Sequence, residues 1–423
     1  MSRVRWLFVA GGLALIAFSL GRYAAPRAIG FPDPAEARSA EEMERSVAAA
    51  LDEPRAFPRS SSLIRLYEGL SPANVEGAAR ANDARAGEYD PVDLQLFLTA
   101  WAHLDPPAAM RAVRAWPIRS RREFGIRTVM REWAASGRQI EAGGYFDSLT
   151  DPAEREVAAG PLVRGWALSG DSEGALGLAL RFFEAEGRKD IVDGLVRGVL
   201  HARGAEGAFA LAQSVDPATG GEFAQRLAQT TLNLAGRTDP TAAARFYDSL
   251  LERAPEAEWL PETLPRVAGL LRNGDPTAAL GWLLPKPASP QRTRALVETM
   301  GTYGKRDFDA AWAWFAQNAE SVKSGASELS PTDSALLSGL MRRMARIRPA
   351  EAAAWAVRLR PESDRLEMLR RVAYFWSASD AAAADAWIAS LVLGPETLAR
   401  IREAAQWGRT AEDGDLEMPS GAR

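Results

Sequence analysis

The alternating runs of Val, Ile, Thr and Tyr that a half-buried strand requires are missing from this chain, and Ala, Leu and Arg dominate instead. That bias favours helix nearly everywhere and predicts an all-α protein. A turn signature then recurs. An apolar or aromatic residue is followed by a few small or polar ones, then Asp, then Ala four positions later. Trp101, Asp105 and Ala109 form one copy; Trp166, Asp171 and Ala175 another. Leu234, Asp239 and Ala243; Leu270, Asp275 and Ala279; Tyr303, Asp307 and Ala311; and Trp376, Asp380 and Ala384 repeat it. Weaker copies pass through Gly137, through Ala205, and through Arg348 with Ala352. Successive turns lie roughly 32 to 41 residues apart, with about 34 the commonest spacing, as helix-turn-helix repeats require.

A second register accompanies the first. Seven residues after the turn comes a large apolar residue: Leu178, Phe246, Trp282, Trp314, Trp355 and Trp387. It lies three residues beyond the alanine, so the two share a helical face. The alanine lets a neighbouring helix approach and the larger residue fills the space one turn along, which places both in the core. The turn aspartates have a structural role as well. In Asp105-Pro106, Asp239-Pro240 and Asp275-Pro276, the acid is an expected N-cap and the proline the first helical residue.

These residues resemble the tetratricopeptide repeat. Its consensus sets a bulky residue five before a Gly-Asp turn, alanine four after it and an aromatic four later. Trp166, Gly170-Asp171 and Ala175 fit well; Gly274-Asp275, Ala279 and Leu283 fit in part, as do Asp307, Ala311 and Phe315. The small residue expected eight before the turn is replaced by Phe97, Val163 or Val267. The resemblance covers about residues 60–406. It implies a right-handed α-solenoid that binds peptides or protein surfaces along its concave face.

The first residues read differently. Arg3 and Arg5 precede an uncharged stretch, Trp6 to Leu20, and Arg22 and Tyr23 follow at an interface-like position. Residues 1–29 are expected to form a membrane anchor, with a cleaved signal peptide or a buried core helix as alternatives; Pro26 after Ala24-Ala25 argues against cleavage there. Basic residues at the start favour a cytoplasmic N-terminus in the inner membrane, with the rest of the chain outside the cytoplasm. Residues 30–59 are a Pro-containing linker and first helix, 60–406 the repeats, and 407–423 an acidic tail expected to be disordered. No composition-shifted linker interrupts the repeats, so one continuous array is expected. Its weakest points are Pro285–Pro290 and Ser321–Pro331.

Composition narrows the chemistry. The chain has no cysteine, which excludes disulfides and thiolate chemistry, and its net charge of −4 argues against general nucleic-acid binding. The two histidines, His103 and His201, have no second histidine at ligand spacing, and no cofactor motif is present. Gly170-Asp171-Ser172-Glu173-Gly174 matches the nucleophile-elbow string, yet that motif needs a preceding strand and here follows a helical segment. Two arginine clusters remain. One runs from Arg111 to Arg131 and includes Arg119, Arg121 and Arg122; the other holds Arg342, Arg343, Arg346 and Arg348. Either they are solvated faces or they meet an acidic partner segment or anionic headgroups. The expected function is a non-enzymatic, membrane-tethered scaffold that recruits another envelope protein. An all-α toroid acting on glycans and a structural subunit of a membrane complex are the alternatives.

Overall fold

The computed structural model describes residues 38–326 and 328–410, and every regular element among them is helical. The expected anchor lies outside these residues, as does the expected tail from residue 411 on; its first residues, 407–410, are helical and not disordered. Among the described residues, no helix is long and apolar enough to cross a membrane.

The described residues divide into two compact units, one up to Leu211 and one from Ala212 on. The division falls at Leu211, within a helix, and not at Pro285–Pro290 or Ser321–Pro331, where the sequence is weakest. The first unit contains α1 (Ala40–Leu51), α2 (Ala56–Glu68), α3 (Val75–Asp83), α4 (Pro91–Leu104), α5 (Pro106–Arg114) and α6 (Arg119–Trp133). A π-turn at Ala134–Arg138 leads to α7 (Gln139–Asp147), α8 (Pro152–Leu168), α9 (Ser172–Glu186) and α10 (Ile191–Ser214). In the second unit follow α11 (Gly221–Leu234), α12 (Pro240–Arg253), α13 (Leu260–Gly274), α14 (Pro276–Leu283), α15 (Pro290–Arg306) and α16 (Phe308–Asn318). The short α17 (Glu320–Lys323) precedes α18 (Pro331–Ile347), α19 (Pro349–Ala356), α20 (Glu362–Ser379), α21 (Ala381–Ser390) and α22 (Pro395–Thr410).

Within each unit the helices pack in sequence order, in a solenoid-like manner. The first helix of each hairpin contacts the first helix of the next: α4 with α6 and α6 with α8 in one unit, then α13, α15, α18, α20 and α22 in the other. The second helices, such as α9, α14, α16, α19 and α21, lie behind this front row.

The turns form as the sequence predicts. Asp105, Asp171, Asp239, Asp275, Asp307 and Asp380 each accept a backbone N–H of the helix they start, at 2.8 to 3.0 Å. Each such cap stabilises its helix by about 1 kcal/mol. The weaker copies turn by other means. Gly137 and Gly204 adopt positive φ (85° and 68°), which a side chain would resist, and Arg348 makes no side-chain cap.

Every seam alanine is buried: Ala109, Ala175, Ala243, Ala279, Ala311, Ala352 and Ala384 are 0% exposed. The larger partner sits differently from the expectation. Leu178 and Phe246 are buried, but Trp282, Trp314, Trp355 and Trp387 are half-buried. The fully enclosed position is one residue further on, where Val113, Tyr247, Leu283, Phe315 and Ile388 fill the hairpin. A residue four beyond the alanine stands directly above it, whereas one three beyond lies at the rim of the stripe. The rim indoles still find neighbours. Trp282 meets Tyr247 edge-on at 5.5 Å and donates to Asp248, and Trp355 meets Trp312 at 5.4 Å.

Candidate functional site

The arginines between Arg111 and Arg131 are largely used up inside the fold. Arg121 is 1% exposed: its guanidinium lies 3.8 Å from the Trp116 ring centroid and donates to Asp83 and to Asn82 O. It closes α6 against α3, so the expectation that it faces a partner is corrected. Arg122 donates to Trp116 O, Arg114 pairs with Glu154, and the exposed Arg119 pairs with Glu123 four residues on.

The second cluster is arranged otherwise. Arg348 is drawn to Asp309 and Glu351, but Arg342, Arg343 and Arg346 are exposed and make no ion pair among the described residues. Their helix, α18, packs against α15 on one side and α20 on the other, with α16 and α19 behind it. The arginines occupy the side left open. Lys305, near the end of the adjacent α15, is likewise exposed and without an ion pair among the described residues.

A groove of about 600 Å³ begins on the same side. Val297 of α15, Pro331 and Ala335 of α18, and Leu359 and Pro361 before α20 give it apolar walls on one part, while Thr293, Arg360, Glu362, Asp364 and Arg365 make the rest of its lining polar. Ala335, Arg342 and Arg346 are seven and four residues apart, which places them on one stripe of α18. Groove and arginines are therefore consecutive along one helix face. The arginines nearer the groove have partners: Arg360 with Glu328, and Arg365 with Glu362 at 3.3 Å.

In the first unit, a smaller polar pocket of about 230 Å³ lies between Arg59, Arg85, Tyr89, Asp90 and Asp93. Arg59 bridges Asp93 at 2.6 Å and Asp90 at 3.0 Å. Burial pushes the Asp93 carboxyl up despite the opposing Arg59 charge. The pocket's charges answer one another, as a structural network does.

The remaining sequence candidates sit at helix ends. Ser172 is the first residue of α9, buried, and preceded by a helix and a turn in place of a strand. His103 is exposed, with Nδ1 2.7 Å from Thr99 O, and His201 is exposed. Among the described residues no cluster of His, Asp or Glu could hold a metal ion.

Arg164 and Arg197 form no local arginine cluster in the sequence, since the next arginines of their helices, Arg155 and Arg203, lie nine and six residues away. The signal that finds them is the 33-residue interval Arg131, Arg164, Arg197, accompanied by Gly165 and Gly198 at the same interval. No protein-family model, curated protein or solved structure matches the chain.

Proposed function

We propose that this protein is a non-catalytic scaffold, held at the inner membrane by its N-terminal segment, that captures an acidic segment of another envelope protein. The repeats are read as tetratricopeptide-like units of about 34 residues in a right-handed solenoid. One observation carries the binding role: Arg342, Arg343 and Arg346 stay exposed, with no ion pair among the described residues, on a helix face continuous with a groove of mixed apolar and polar lining. Most of the neighbouring arginines are satisfied, Arg348 by Asp309 at 2.6 Å and Arg358 by Ala326 O at 2.6 Å. Uncompensated like charges on one helix face repel one another, and a carboxylate-bearing partner removes that cost.

The test places a photo-crosslinking amino acid at Lys305, beside the arginines, in the native cell. A discrete adduct is expected, and R342E/R343E/R346E should abolish it while leaving the protein folded. An adduct that persists undiminished in the charge-reversed protein rules the face out. Orientation is tested separately with a phosphatase fused at Arg38, which should be active only if that residue lies outside the cytoplasm.

A further inference from the structure

The front row of the first unit carries a second basic feature, separate from the Arg342 face. Arg131 lies on α6, Arg164 on α8 and Arg197 on α10, at intervals of 33 residues. Backbone contacts set them level. A Cβ at Gly165 would lie 2.2 Å from Arg131 O and 2.8 Å from Ala134 Cβ. One repeat later, a Cβ at Gly198 would lie 2.6 Å from Arg164 O and 2.6 Å from Ala167 Cβ. The same glycine contact, moved along by one repeat, thus holds three neighbouring helices in the same register beside each arginine.

Counter-charge is short along this line. Arg131 takes Glu132 at 2.7 Å. Arg164 makes no ion pair among the described residues, and its Nε is buried without an acceptor. Arg197 is exposed and also makes no ion pair among the described residues. Burial pushes the Arg164 guanidinium below its ordinary value, with the positive charges of Arg131 and Arg197 adding to the effect and Glu132 opposing it. A half-buried cation flanked by two others is a poor arrangement for the free protein and a good one for an anion.

We propose that Arg131, Arg164 and Arg197 form a ladder that binds an acidic polypeptide segment laid across α6, α8 and α10. Packed helices lie about 8–10 Å apart, so the three guanidinium groups span roughly 16–20 Å, more than one phosphate can touch. An extended peptide covers that length with about five or six residues at about 3.3 Å each. The guanidinium fork matches a carboxylate bidentately. Glu123 and Glu156 stand on the same stripes of α6 and α8, eight residues before Arg131 and Arg164. They disfavour a continuous phosphodiester chain and accommodate a ligand whose carboxylates alternate with neutral residues. The ladder lies in a different unit from the Arg342 face and stands or falls separately from it.

The test uses the full chain carrying R342E/R343E/R346E, so that the other face is silent, and a fluorescein-labelled (Glu-Ser)4 peptide read by polarisation. Saturable, salt-weakened binding is expected, and Arg197→Glu and Arg164→Gln should each weaken it by about tenfold or more. Arg164→Gln should also raise the melting temperature, because it removes an uncompensated charge; binding loss with a raised melting point cannot come from unfolding. Binding within about twofold of the parent in Arg197→Glu overturns the proposal. So does a thymidine octanucleotide that competes as well as unlabelled peptide, or an Arg164→Gln protein that melts lower and binds unchanged.

Discussion

The Trp166 indole N–H donates to Asp171 Oδ2 at 2.8 Å while Asp171 Oδ1 accepts the Gly174 N–H at 2.9 Å. One carboxylate therefore ties the end of α8 to the start of α9. Both bonds favour its ionised form, and the Trp166 bond, with the Gly174 N–H adding to it, holds the carboxyl below the usual range. A group whose folded pKa is lower than its unfolded one binds fewer protons in the native state. Its stabilisation is full above the ordinary carboxylate value near about 3.9 and is lost as pH falls through the folded value. Asp171→Asn keeps a cap acceptor but cannot titrate. The melting temperature of the wild type should fall more steeply than that of Asp171→Asn on acidification below about pH 4. Parallel curves would show that this carboxylate is not shifted.

Close helix contacts make glycine substitutions diverge in sign. A Cβ at Gly408 would lie 2.1 Å from Tyr374 O, where α22 meets α20, while nothing lies within 4 Å of a Cβ at Gly281 in α14. Gly408→Ala should force the helices apart and cost about 1–3 kcal/mol. Gly281→Ala gains helix propensity and should stabilise by about 0.5–1 kcal/mol. Urea denaturation of the two variants checks both, and the same sign for each would contradict the packing of α20 on α22.

Arg121 and Arg119 show what the sequence could and could not reveal. The caps and the seam alanines were legible because aspartate, proline and alanine each act within one turn of their own position. Arg121 was not. The groups that bury it, Asn82 and Asp83, lie 39 and 38 residues earlier, and nothing local marks which of several nearby arginines will meet them. Sequence spacing does not separate the half-buried tryptophans from the enclosed position, since three and four residues beyond an alanine both fall on an apolar stripe. The ladder arginines carry a period that becomes meaningful only once Gly165 and Gly198 are seen to set helices level.

The same pair yields a prediction. Arg121→Ala leaves a void beside Trp116 and removes a guanidinium–indole contact and two hydrogen bonds, for a cost of about 2–3 kcal/mol. Arg119, whose side chain is 81% exposed beside Glu123, should change stability by no more than about 0.5 kcal/mol when replaced by alanine. Chemical denaturation of the two single variants checks this. An Arg121→Ala protein as stable as the wild type would mean that the arginine is free to face a partner after all.

Phe315 and Trp314 separate the enclosed position of the repeat from its rim. Phe315 is 0% exposed, eight residues after the cap Asp307, and stacks on Trp312 at 5.5 Å. Trp314 is half-buried one residue earlier, although its ring is the larger. Burial of side-chain area, and not ring size, sets the cost of truncation, because only atoms removed from water and packed against others contribute. Phe315→Ala opens a cavity between α16 and its neighbours and should cost about 3–5 kcal/mol. Trp314→Ala should cost less than about 2 kcal/mol despite deleting more atoms. Equilibrium urea unfolding of both variants decides the order. If Trp314→Ala proves the more damaging, the indoles form the true seam and the register of every hairpin in the second unit has to be shifted by one residue.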